Sequence, residues 1–182
     1  MILPLLESGH THFGENRIQE ALLKWTDLKI KYQNIKLHFL GKLQSNKAKN
    51  AVQIFDYIHS LDNEKLASNL DTHQKNLQKN VKLFIQINLG NEEQKSGIAL
   101  NQLKDFYNFC TKDLSLNVIG LMCLPPIDII SNKYFKLLNE HAVKLNLKEL
   151  SMGMSSDFES AILNGSTFLR IGTLIMGERN SI

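Results

Sequence analysis

The sequence predicts an α/β chain folded as a parallel (β/α)8 TIM-barrel that is one strand short. Three observations carry that expectation. Short apolar runs trade places with longer amphipathic ones along the whole 182 residues, the alternation that builds α/β folds. Runs such as LFIQIN and VIGLM are predominantly apolar and do not alternate, as in strands covered on both faces of a parallel sheet. The connections are short and evenly spaced. A closed parallel barrel takes eight strands, and seven candidates are present. An open doubly wound sheet also accommodates seven. The spacing favours the barrel, as do the last two strand-to-helix loops, which read as a phosphate site of the kind barrels place there.

The elements follow in order. MILPLLESGH reads as the tail of a helix ending at Gly9, so the strand unaccounted for is the first. Candidate strands cover residues 12–14, 37–41, 57–60, 82–88, 117–122, 149–152 and 168–171. Between them, apolar residues recur every three to four positions, one stripe per helix. Ile18, Leu22 and Trp25 mark a helix over 17–28, and Leu66, Leu70 and Leu77 one over 63–77. Leu103, Phe106 and Phe109 mark 100–109; Leu137, Leu138, His141 and Leu145 mark 133–145. A short helix over 157–163 follows Ser156.

Composition narrows the function classes. With 43% apolar and 21% charged residues the chain can bury a core, which excludes general disorder. The net charge of +3 is not concentrated in any Lys/Arg run and no aromatic platform accompanies it, so nucleic acid has no support as a partner. No run approaches 18 apolar residues, and a membrane span is not expected. Cys110 and Cys123 form no CxxC pair, which fits a reducing cytoplasm. With three prolines and no composition shift, residues 1–182 read as a single domain.

Two neighbouring loops are richest in chemistry. In LSMGMSSDFESAI a strand runs into Gly153, two serines follow, and a helix begins. Ser156 and Glu159 match the S-x-x-E capping box. That leaves the Ser155 hydroxyl free to join the helix amides in an anion cradle; a plain capped helix explains the same residues. In FLRIGTLIMGER, alternation puts Arg170 and Gly172 on one face. There Arg170 is either a paired interior arginine or an edge arginine in solvent. Asn16 stands where a strand meets a helix, able to cap the helix or to reach into a pocket. Lys95 lies in a polar loop. His10 and His12 lack the carboxylates or cysteines of a metal site, and His141 reads as a packed core histidine.

The segments FGENRIQEA, LHFLGKLQSNK, IHSLD, FIQINLGNEEQKSGI, GLMCLPP, LSMGMSSDFESAI and RIGTLIMGER, in this order, resemble the pyridoxal-phosphate homeostasis protein family (the proline-synthase co-transcribed family). The resemblance implies a barrel of the alanine racemase N-terminal type that holds pyridoxal 5′-phosphate (PLP). Carried over, Ser155, with Met154 beside it, and Gly172 and Thr173 meet the phosphate. Arg170 lies near the pyridine ring, and Asn16 lines the pocket. The family's Schiff-base lysine sits on the first strand, in a stretch like V-S-K, which is absent from this sequence. A misplaced start, a decayed gene or a strand supplied by another polypeptide would each account for that gap. The resemblance implies a non-catalytic PLP carrier or regulator, with PLP-dependent apo-enzymes as recipients. The alternatives are a PLP enzyme with racemase-like activity and a non-functional remnant.

Overall fold

The computed structural model describes residues 2–90, 92, 94, 96–126 and 131–177. A short helix α1 (Leu3–Glu7) leads through Gly9, at φ +85°, into strand β1 (His12–Glu15). The chain then alternates: α2 (Ile18–Lys31), β2 (Lys36–Phe39), α3 (Ala48–Ile54), β3 (Tyr57–Leu61), α4 (Glu64–Leu77), β4 (Lys82–Ile87). After α5 (Leu103–Asn108) come β5 (Val118–Cys123), α6 (Ser131–Lys144), β6 (Glu149–Met154), α7 (Phe158–Leu163), β7 (Phe168–Arg170) and α8 (Thr173–Met176).

The seven strands form one parallel sheet in the order β1 to β7. Parallel strands that neighbour in sequence order, joined by helices, are the arrangement that closes into a barrel. The curl is visible inside it. Phe168 of β7 lies 5.7 Å, ring to ring, from His38 of β2 and 5.6 Å from Tyr57 of β3. Strands far apart in the sheet order thus meet across the interior, and the sheet is a nearly closed barrel. Among the described residues, β1 and β7 each pair on one side only.

Alternate strand residues divide into two sets. Leu37, Phe39, Leu83, Ile85, Leu121 and Leu150 are buried beneath the helices. Tyr57, Phe84 and Met122 fill the barrel interior, with Phe168 against them. Burial of both faces leaves β4 and β5 apolar at most positions, the exceptions in β4 being Lys82 at its exposed start and the buried Gln86.

The helices are tied down by specific polar contacts. Trp25 of α2 packs on Phe13, ring centroids 4.9 Å apart, and its Nε1 donates to Glu15 Oε1 at 2.7 Å. Lys24 pairs with the same oxygen at 2.7 Å. These contacts clamp the end of β1 to α2 and set the turn that carries Asn16. Asp56 Oδ2 accepts from the Leu37 amide at 2.8 Å and from Lys29 Nζ at 2.9 Å, fixing β2 and α2 at once. Asn63 caps α4, its Oδ1 accepting from the Leu66 amide at 2.9 Å.

Several local expectations are corrected. Asp157, not Ser156, is the N-cap of α7. The Asp157 carboxylate turns back to accept from the Met154 amide at 2.7 Å, closing the turn after Gly153 (φ +92°) instead of pairing in a capping box. Arg17, not Asn16, occupies the N-cap position of α2, and its side chain makes no capping hydrogen bond. Helix α3 was not anticipated: AKNAVQI is too short to show a stripe, although Ala48, Ala51 and Val52 are buried. In α6 the buried stripe is Phe135, Leu138 and Ala142, so His141 sits half-buried at its edge, not in the core.

Candidate functional site

The loops after β6 and β7 meet as the sequence suggests. Ser155 Oγ lies 3.3 Å from the backbone nitrogens of Gly172 and of Leu174, and accepts from both. Those two amides flank Thr173, so Ser155 and the Gly-Thr turn form one cluster. A Cβ placed on Gly172 would meet no heavy atom within 4 Å, so the backbone there is open to a ligand. Met154 precedes the cluster and is 37% exposed. Helices α7 and α8 have six and four residues. The anion-binding capacity therefore rests on the hydroxyl and the loop amides more than on a helix dipole.

Arg170 ends β7 and points inward. Its Nη1 donates to Ser151 Oγ at 2.8 Å and its Nη2 to the Cys123 carbonyl at 2.9 Å. The solvent-edge reading is thereby excluded. Burial holds its pKa below the usual arginine value, with the neighbouring Cys123 and Asp157 opposing. No carboxylate pairs with Arg170 among the described residues. A partly buried guanidinium without an ionic partner keeps donors in reserve.

Asn16 lies elsewhere on the same rim. It lines a cavity of about 430 Å³ with Gly41, Lys42, Gln86, Asn88 and Ser96. None of Met154, Ser155, Arg170, Gly172 and Thr173 lines that cavity. The turn bearing Asn16 depends on Gly41: a Cβ there would fall 2.2 Å from the Asn16 carbonyl oxygen. The structure thus joins Ser155, Gly172 and Thr173 in one cluster, sets Arg170 one layer deeper, and leaves Asn16 on the β1–β2 side. Lys95, and Glu178 and Arg179 of the last motif, lie outside the described residues.

Sequence reasoning missed the polar layer beneath this rim. His38 and His59 are buried inside the barrel and hydrogen-bonded to each other, with Ser151 beyond. The available signal was a histidine within each of two apolar strand segments, LHFLG and IHSLD.

Residues 1–180 match the alanine racemase N-terminal domain family. The pyridoxal phosphate homeostasis protein of Aquifex aeolicus is 40% identical over 181 residues, covering 92% of this chain and 76% of the relative. The chain belongs to the pyridoxal phosphate homeostasis protein family. The homeostasis protein of a Synechocystis strain is also 40% identical, across 94% of this chain and 83% of its own. Among solved structures, PipY of Synechococcus elongatus with PLP bound superposes at a TM-score of 0.89 with 35% identity, covering 97% of this chain and 86% of PipY. An alanine racemase of Clostridium difficile, 13% identical at a TM-score of 0.73, shares the fold. The chain is a nearly closed barrel of the alanine racemase N-terminal type. Among its described residues no helix is long and apolar enough to cross a membrane.

Proposed function

We propose that the chain binds PLP at the C-terminal ends of its strands and serves PLP homeostasis as a carrier or regulator, not as a catalyst. The observation that carries this reading is the meeting of the Ser155 hydroxyl with the Gly172 and Leu174 amides. A hydroxyl and two N–H groups beside an open glycine suit a phosphate monoester. PipY, solved with PLP, is 35% identical.

Each residue then has a task. Ser155, Gly172 and Thr173 hold the phosphate, with Met154 alongside. Arg170, held by Ser151 and the Cys123 carbonyl, faces the ring. Asn16, in the turn after β1, approaches the cofactor from the neighbouring cavity. Residues 1–182 act as one cofactor-binding barrel.

Bound PLP supplies an aldehyde and a pyridine ring that withdraws electrons best when its nitrogen is protonated. A guanidinium donates hydrogen bonds and accepts none. Arg170 therefore favours an unprotonated ring nitrogen and weakens carbanion chemistry. Reversible storage of a reactive aldehyde in the cytoplasm, with delivery to PLP-dependent apo-enzymes, is the role left to it.

The test is amino-acid turnover. Purified protein saturated with PLP is incubated with L-alanine, L-lysine and other amino acids, and enantiomers and amines are quantified. The expected result is no turnover above free PLP. Racemisation or decarboxylation that Arg170→Gln alters would make the chain an enzyme.

A further inference from the structure

The barrel interior holds a hydrogen-bonded chain that phosphate binding does not require. His12 is the first residue of β1, His38 the third of β2, His59 the third of β3 and Ser151 the third of β6. His12 Nδ1 lies 2.8 Å from His38 Nε2. His38 Nδ1 lies 2.9 Å from His59 Nε2, and His59 Nδ1 lies 2.7 Å from Ser151 Oγ. Arg170 Nη1 donates to that same Ser151 Oγ at 2.8 Å. His12 is exposed while His38, His59 and Ser151 are buried. The chain therefore climbs from solvent at the N-terminal end of the barrel to the arginine near the other end. Stacking fixes the rings: His38 lies on Tyr57 at 4.2 Å and His59 on Phe84 at 4.3 Å.

A neutral imidazole has one N–H and one lone pair. Burial, followed by the neighbouring His12, drives the His38 pKa down to about 3. Burial, followed by His38 and Arg170, keeps His59 well below its ordinary value. Both are therefore neutral near pH 7, and the direction of one bond dictates the others. Outward, the Ser151 hydroxyl donates to His59 Nδ1, His59 Nε2–H donates to His38 Nδ1, and His38 Nε2–H donates to His12 Nδ1. Inward, every donor reverses and Ser151 Oγ accepts from both His59 and Arg170. The inward state leaves the buried Ser151 proton without an acceptor among the described residues, so the outward state is preferred. A protonated His12 has no lone pair and permits only the inward state.

We propose that His12, His38, His59 and Ser151 form a tautomer-coupled relay in which the charge of His12 sets the hydrogen bonds at Ser151 and so positions Arg170. The three histidines are positioning residues for that guanidinium. The consequence for the cofactor rests on the PLP reading above. The groups facing His12 are His10 from the preceding turn, Lys36 and His38 of β2, Asp56 and Tyr57 at the start of β3, and Lys82 of β4. Burial, then the neighbouring His10, Lys36 and Lys82, lower its pKa against Asp56, so the switch falls on the acid side of 6.5.

The experiment is long-range 1H–15N NMR of histidine-labelled protein from pH 8 to pH 5. The expected result is Nε2–H tautomers at His38 and His59 at high pH, both changing to Nδ1–H with the midpoint at which His12 titrates. His12→Gln and His12→Asn, at an exposed position, abolish the change. Calorimetric titration of PLP across the same range should show an affinity step of about fivefold or more, within the usual span of coupling energies, absent from both variants. Fixed tautomers through the His12 titration overturn the relay. Coupled switching with pH-independent PLP affinity overturns the positioning of Arg170. Absence of PLP binding at every pH refutes the cofactor reading instead, while the tautomers still decide the relay.

Discussion

The Ser155 hydroxyl oxygen, in the loop after β6, accepts from the Gly172 amide, in the loop after β7, at 3.3 Å. That contact joins the two loops that the sequence marks as the phosphate site. It also makes Ser155 the most direct residue to alter. Ser155→Ala should leave stability within about 0.5 kcal/mol, as for surface substitutions. It should weaken PLP about tenfold or more, since a hydrogen bond to a charged group contributes roughly 1.5–3 kcal/mol. Calorimetry beside urea unfolding separates the two effects.

Gly41→Ala should act through Asn16. The added Cβ would sit 2.2 Å from the Asn16 carbonyl oxygen and 2.9 Å from its carbon, both backbone atoms that cannot swing away. The turn after β1 must shift, at a cost of about 1–3 kcal/mol as for other overpacked sites. Denaturant unfolding should report the loss. Unchanged stability would mean that the two turns lie farther apart.

Acid should unfold the protein early. His38 is held neutral by burial, with a folded pKa of about 3 against 6.5. The unfolded chain therefore binds more protons below pH 6.5. The contribution of His38 to stability is complete above that value and is lost as pH falls from 6.5 toward 3. The expected slope is about 1.4 kcal/mol per pH unit for this residue, and His59 adds in the same direction. His38→Asn should flatten the profile between pH 6 and pH 4.

The cysteines should be inert in the native state. Burial pushes both the Cys110 and the Cys123 thiols up to about 12, which leaves almost no thiolate at pH 8. Iodoacetamide should label neither until denaturant is added. Rapid native labelling would show that the packing opens, around β5 if at Cys123 and around the end of α5 if at Cys110.

The barrel is legible in the sequence because burial on both faces leaves its mark on each central strand. LFIQI and VIGLMC are apolar at almost every position, and both are buried in the sheet. The Ser155 cluster is legible because Gly153, the serines and Arg-x-Gly-Thr are short-range signals. The histidine relay is not legible. Its members are 26, 21 and 92 residues apart, and only the parallel register and curl of the sheet bring them together. Helix caps failed for a related reason: a carboxylate one residue after Ser156 found the Met154 amide first. Asn16 and the other candidate residues occupy different sectors of the rim, which a linear motif cannot display.

The most direct test compares PLP with pyridoxal, the same molecule without its phosphate, by calorimetry at pH 7.5. If the Ser155–Gly172–Thr173 cluster grips the phosphate, PLP binds at least a hundredfold more tightly than pyridoxal, and inorganic phosphate competes. Equal affinities, or PLP binding unaffected by Ser155→Ala and Thr173→Val together, would contradict the assignment.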